Sequence, residues 1–108
     1  MTHAAQQPRP DIVMFQRAEL EIILRVYGRM VAAGEWRDYA IDGLKDRAEF
    51  SIFRHAAETP IYRVVKTPAD ARRQGAYKVV SATGLIVKRG HELSQVMRVF
   101  DRQLMRLT

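Results

Sequence analysis

The stretch Ala76–Gly90, AYKVVSATGLIVKRG, decides how the whole chain reads. Two β-branched runs flank Thr83-Gly84, and a two-residue turn there folds them into an antiparallel hairpin. Such a turn pairs Ala82 with Leu85 and Val80 with Val87 on one face. On the other face it sets Ser81 opposite Ile86 and Val79 opposite Lys88. The elements upstream are then to be fitted to an antiparallel sheet.

Upstream, IYRVVK runs from Pro60 to Pro68 as a β-branched strand, and PADARRQG joins it to the hairpin as a loop or a single helical turn. Further back, AEFSIFRHA alternates, with Phe50 and Ile52 pointing one way and Ser51, Phe53 and His55 the other. LKDR (Leu44–Arg47) is the turn before it. RDYAIDGL reads as a strand with Tyr39 and Ile41 on one side, although Trp36, Ala40 and Leu44 also fit a short helix. Ile12–Phe15 is a short apolar run that could add an edge strand.

Both ends of this meander change period from 2 to 3.6. From Gln16 to Ala33, Leu20, Ile23, Leu24, Tyr27, Met30 and Val31 form one stripe, broadened by Ile22 and Val26. Arg17, Glu21, Arg25 and Arg29 fall on another, and Gly34 is a natural C′ stop. Gly28 costs this helix about 1 kcal/mol relative to alanine, which points to close packing at that position. At the other end, Leu93, Val96, Met97, Phe100, Leu104 and Leu107 trace an uninterrupted amphipathic face. The expected fold is α+β: an N-terminal helix, an antiparallel meander of four or five strands, and a C-terminal helix packed on the sheet. Residues 1–11 are read as a disordered lead-in and residues 12–108 as one domain.

Composition narrows the function. At 108 residues, 47% hydrophobic and 28% charged, the chain can form one hydrophobic core and no second. Without cysteine it has no disulfide, thiol chemistry or cysteine-ligated metal. Its apolar runs fall short of the about 20 residues of a membrane span and the roughly 7–15 of a secretory core. A cytoplasmic location away from membranes is therefore expected. Phosphate loops of the GxGxxG and GxxxxGK[ST] types are absent. His55 and His91 have no catalytic partner at helix or strand spacing. Asp38, Asp42 and Asp46, four apart, are interleaved with Arg37, Lys45 and Arg47, as on a solvated surface. No catalytic residue, metal or cofactor is assigned.

Charge is the one uneven property. Residues 1–58 hold 8 Lys/Arg against 9 Asp/Glu, a net of −1, whereas residues 59–108 hold 10 against 3, a net of +7. A basic half attracts phosphates or acidic protein faces. Arg98, Arg102 and Arg106, four apart, would line one exposed stripe of the last helix. Lys88 and Arg89 end the strand before it, and Arg72 and Arg73 sit on the proline-initiated loop. Converged, these seven cations would suit bidentate contacts to phosphate or carboxylate. A solvated helix face, with Asp101 neutralising its neighbours, accounts for the same spacing. Arginines outnumber lysines 14 to 4 and asparagine is missing, a bias that a GC-rich gene also produces.

Four strings, VYGRMVAAGEWRDYAID, DRAEFSIFR, ARRQGAYKVV and LIVKRGHELSQVMRVFD, resemble a family of short uncharacterised alphaproteobacterial proteins catalogued as a domain of unknown function. The resemblance runs from about Phe15 to Leu107 and carries no activity or catalytic residue with it. The family tends to have aspartate where Gln16 stands, and glutamine is the poorer N-cap, which implies a less firmly held helix start here.

The expected function is that of a non-catalytic binding module whose basic half contacts a polyanion, either nucleic acid or an acidic protein surface. The alternative is a homo-oligomer joined through a sheet edge or through apolar surface left on the first helix.

Overall fold

The computed structural model describes residues 11–55 and 59–107, so the expected lead-in lies, apart from Asp11, outside the described residues. Helix α1 spans Arg17–Ala32. Strands β1 (Asp38–Gly43), β2 (Ala48–Phe53), β3 (Tyr62–Lys66), β4 (Tyr77–Ser81) and β5 (Ile86–Gly90) follow. Helix α2 (Leu93–Met97), a 3-10 turn (Arg98–Phe100) and helix α3 (Asp101–Leu107) complete the chain. The sheet order is β1-β2-β3-β4-β5 with every pairing antiparallel, which is the expected α+β architecture with five strands.

Helix α1 starts more firmly than its glutamine cap implies. The Gln16 N–H donates to Glu19 Oε1 at 2.6 Å, so a carboxylate in the first turn satisfies a donor that the helix leaves open. At the other end Gly34 takes φ +79°, a left-handed conformation in which a side chain would be strained. The buried stripe is narrower than expected: Glu19, Ile23, Val26 and Met30 are buried, while Leu24 and Val31 are exposed. A helix lying on a sheet hides only the arc that faces it. Gly28 lies outside that arc, and a Cβ there would meet nothing within 4 Å, so the expected close packing does not occur.

The segment around residues 36–44 is settled by cross-strand register. Tyr39 pairs with Ile52 and Ile41 with Phe50, so β1 is a strand, and Trp36 is buried in the core just before it. Ile12–Phe15 adds no strand. It runs past the end of β1, held where the Val13 N–H donates to the Leu44 carbonyl at 2.7 Å, with Phe15 buried.

The β4–β5 connection differs from the expected two-residue turn. The Ser81 N–H donates to the Leu85 carbonyl at 2.8 Å, leaving Ala82, Thr83 and Gly84 as a three-residue loop. Val80 therefore faces Ile86 rather than Val87. A bulge opposite Val79/Val80 absorbs the displacement, so Val79 still pairs with Lys88 as expected.

The core lies on one face of the sheet. Phe50, Ile52, Val64 and Val79 are fully buried beneath Ile23 and Met30 of α1 and Val96, Met97 and Phe100 of the C-terminal segment. Each such side chain stabilises the fold by roughly 1.5–3 kcal/mol through burial. The expected continuous C-terminal helix is broken by the 3-10 turn, which seats Phe100 edge-on against Trp36 (4.8 Å, 89°) and Tyr62 (5.1 Å, 76°). Its three residues turn about 120° each rather than 100°, so positions beyond it are rotated by roughly 60°.

Candidate functional site

A polar cluster ties α1 to the sheet. Glu19 accepts hydrogen bonds from the Gln16 N–H, from Lys66 Nζ at 2.9 Å and from the Tyr77 hydroxyl, and Lys66 Nζ also reaches the Met14 carbonyl at 3.0 Å. Burial works to raise the Glu19 pKa, but these donors and the Lys66 charge outweigh it and hold the carboxyl below its ordinary value. The group is satisfied from within and fixes the fold. Glu19 announces itself in sequence as a carboxylate three residues past a helix start. Its partners on β3 and β4 carry no such signal.

The basic residues fall on both faces of the sheet. Paired residues share a face, so Lys88, opposite the buried Val79, points to the helix side, while Arg89, opposite Lys78, points to the other. Lys88 meets Arg98 and Arg102 around a groove of about 510 Å³ between β5 and the C-terminal segment. Val87, Gln95, Val99, Asp101 and Met105 complete its walls. In a regular strand Val87 and Lys88 would point oppositely, and the bulge lets both border the groove.

Among the described residues Asp101 is the sole carboxylate lining the groove. Arg29 reaches it at 3.4 Å and Arg98 at 4.0 Å. A smaller cavity of about 150 Å³ shares Arg98 and Asp101 with the groove and adds Arg25 and Arg29 from α1. Cations from α1, β5 and the C-terminal segment thus surround one acid that is already engaged. The sequence sets Arg25 and Arg29 on one helical stripe with Arg17 and Glu21. Their half of the chain has a net charge of −1, which hid their part in this surface.

The remaining predicted cations stand apart. Arg106 lines a separate depression of about 280 Å³ with Trp36, Tyr62 and the Glu35–Arg54 ion pair (3.3 Å). The expected single stripe of Arg98, Arg102 and Arg106 does not form: Arg106 lies one turn beyond Arg102 on α3, about 6 Å along the axis and 40° around it, and borders a different depression. Arg72 and Arg73 are exposed on the turn after Pro68–Asp70. Arg89, on the uncovered face, donates to Gln74 Oε1. Three of the seven, Lys88, Arg98 and Arg102, share a site.

The uncovered face is a weaker candidate. Asp42, Glu49, Val65, Lys78 and Arg89 follow one another across its strands, so the acids of this row lie on β1 and β2 and its cations on β4 and β5. Glu49 holds Arg47 at 2.6 Å and Arg63 at 3.7 Å. His55 and His91 are exposed. Among the described residues no group of three His, Asp or Glu side chains could hold a metal, and no helix is long and apolar enough to cross a membrane. Asp38 and Asp42 lie on β1 and Asp46 in the turn after it, so their four-residue spacing is not that of a helix face.

The fold and groove together define a small α+β domain whose antiparallel sheet is covered by helices on one side, with a basic seam along one sheet edge. The chain belongs to the family described as Protein of unknown function (DUF2794), which matches residues 13–97. The matched span includes Arg25, Arg29 and Lys88 and ends just before Arg98. No curated protein and no solved structure matches the chain.

Proposed function

We propose that this protein is a non-catalytic binding module that receives the anionic groups of a partner, carboxylate or phosphate, in the groove between β5 and the C-terminal segment. The observation that carries this reading is the meeting of Lys88, Arg98 and Arg102 around one groove whose single carboxylate is already paired. One exposed ion pair contributes roughly 0–1 kcal/mol, so useful affinity requires several cations acting together. Guanidinium forks on a rigid helical segment lose little freedom in forming bidentate contacts.

Titration of the full chain with oligoglutamate and with duplex DNA, at low and moderate salt, tests the reading. Binding should weaken with salt, with a log–log slope of about −3 on duplex DNA if each of the three groove cations engages one phosphate. Reversal of Lys88, Arg98 and Arg102 to glutamate should abolish it, and reversal of Arg72 and Arg73 should leave most of it. If neither polyanion binds, or both reversals have equal effects, the proposal fails.

A second reading, a homo-oligomer, is favoured by the exposed Leu85, Ile86 and Val87 beside the unpaired edge of β5. Antiparallel pairing of two β5 strands would, however, gather Lys88 and Arg89 of both copies along one seam. Sedimentation would reveal a salt-insensitive oligomer if this second reading holds.

A further inference from the structure

Resting on the reading above, we infer that the groove's occupant is an acidic peptide in extended conformation, added to the sheet as a sixth strand beside β5. The order β1-β2-β3-β4-β5 leaves β5 at an edge, and an edge strand turns every second residue's N–H and C=O away from its neighbour. The groove follows that edge, with β5 as one wall and the C-terminal segment as the other. A strand laid there gains main-chain hydrogen bonds from β5 and side-chain contacts from the helices, as in other cases of strand addition.

The chemistry of the two faces specifies the peptide. Side chains pointing to the helix side meet Lys88, Arg98 and Arg102, which calls for carboxylates at every second position. Side chains pointing the other way pass Ile86, 42% exposed, and Arg89, whose guanidinium already donates to Gln74, so apolar residues fit beside Ile86. The opposite edge, β1, carries Asp38 and Asp42 and would repel such a peptide. Among the described residues no aromatic side chain lines the groove to stack on a base, so a peptide fits it better than single-stranded nucleic acid. Lys88 and Arg89 oppose a second β5 strand at the same edge while attracting an acidic one.

The test uses the full chain and labelled synthetic peptides. One alternates glutamate and valine; its isomer has the same composition with all glutamates before all valines. Two further forms of the alternating peptide are N-methylated on one or the other alternate set of backbone nitrogens. The alternating peptide should bind about tenfold or more tightly than its isomer. Methylation of the set that faces β5 should abolish binding, and methylation of the other set should spare it. Strand addition is overturned, with the groove reading intact, if all four peptides bind alike and reversal of Arg98 and Arg102 weakens them all. It is equally overturned if DNA of equal charge binds in preference to the alternating peptide. Failure of every peptide and of DNA to bind overturns the groove reading itself.

Discussion

The Tyr77 hydroxyl on β4 donates a hydrogen bond to the Glu19 carboxylate in the first turn of α1, joining residues 58 apart in sequence at the border of the core. Lys66 completes the cluster from β3, so one carboxylate pins the helix across two strands. The wall that α1 gives the smaller cavity beside the groove inherits its position from this anchor.

Loss of the Tyr77 hydroxyl in Tyr77→Phe should destabilise the fold by about 1–3 kcal/mol, the range for a hydrogen bond to a charged group, measured as a lowered urea midpoint. The Glu19 pKa is depressed in the folded state, so its contribution is present above the unfolded carboxyl range and is lost as pH falls through the folded value. Burial, the Glu19 hydrogen bond and the Glu19 charge push the Tyr77 pKa up to about 12. That contribution is complete below the ordinary tyrosine value and disappears as pH rises toward about 12. Tyrosinate absorbance should therefore show a step toward about pH 12 in the wild type that is missing in Tyr77→Phe.

Gly75 and Gly28 should respond in opposite directions to alanine. Gly75 has φ +93°, and a Cβ there would fall on the Gly90 carbonyl at the end of β5. Gly75→Ala should cost about 2–5 kcal/mol through backbone strain and overlap. Gly28 is an exposed helix position with open space around it, so Gly28→Ala should stabilise by about 1 kcal/mol. Thermal unfolding of the two variants gives the comparison directly.

Asp101→Asn removes the carboxylate among the groove's cations. Its pairs with Arg29 and Arg98 are long and partly exposed, so stability should change by less than about 1 kcal/mol. Affinity for oligoglutamate at low salt should rise, and unchanged or weaker binding would count against the groove as the anion site.

Trp36, the chain's single tryptophan, is 3% exposed and meets Phe100 edge-on at 4.8 Å. Its emission should be blue-shifted in the native state and move to the red on unfolding. Phe100→Ala should cost about 3–5 kcal/mol by leaving a cavity beside the indole, with a parallel red shift in the native spectrum.

Much of the fold was legible in the residues because its signals are local. Alternation in Phe50–Phe53, β-branching in Tyr62–Lys66 and the Gly34 stop each describe a few neighbouring positions, and each element formed where those signals lie. Misreadings arose where one residue shifts a register. The Ser81–Leu85 pairing lengthened the turn, and the bulge that absorbed it carried Val87 to the groove.

The candidate site was legible only in part. Lys88, Arg98 and Arg102 were named from charge and spacing, and they do meet. Arg106 shares their four-residue spacing but lies a turn further along α3 beside a different depression, and Arg89 is adjacent to Lys88, which in a strand means opposite faces.

The residues alone determined that this chain forms a helix, a run of antiparallel strands and a helical C-terminus, and that its excess charge sits in the second half, because periodicity and charge are properties of short segments. Tertiary structure decided which cations meet. Arg25 and Arg29 reach Arg98 and Asp101 only because α1 and α2 pack on the same sheet face, and Arg89 is separated from Lys88 by the thickness of that sheet. Convergence through space depends on register, on the handedness of each turn and on the layer an element joins, and none of these is written at a single position.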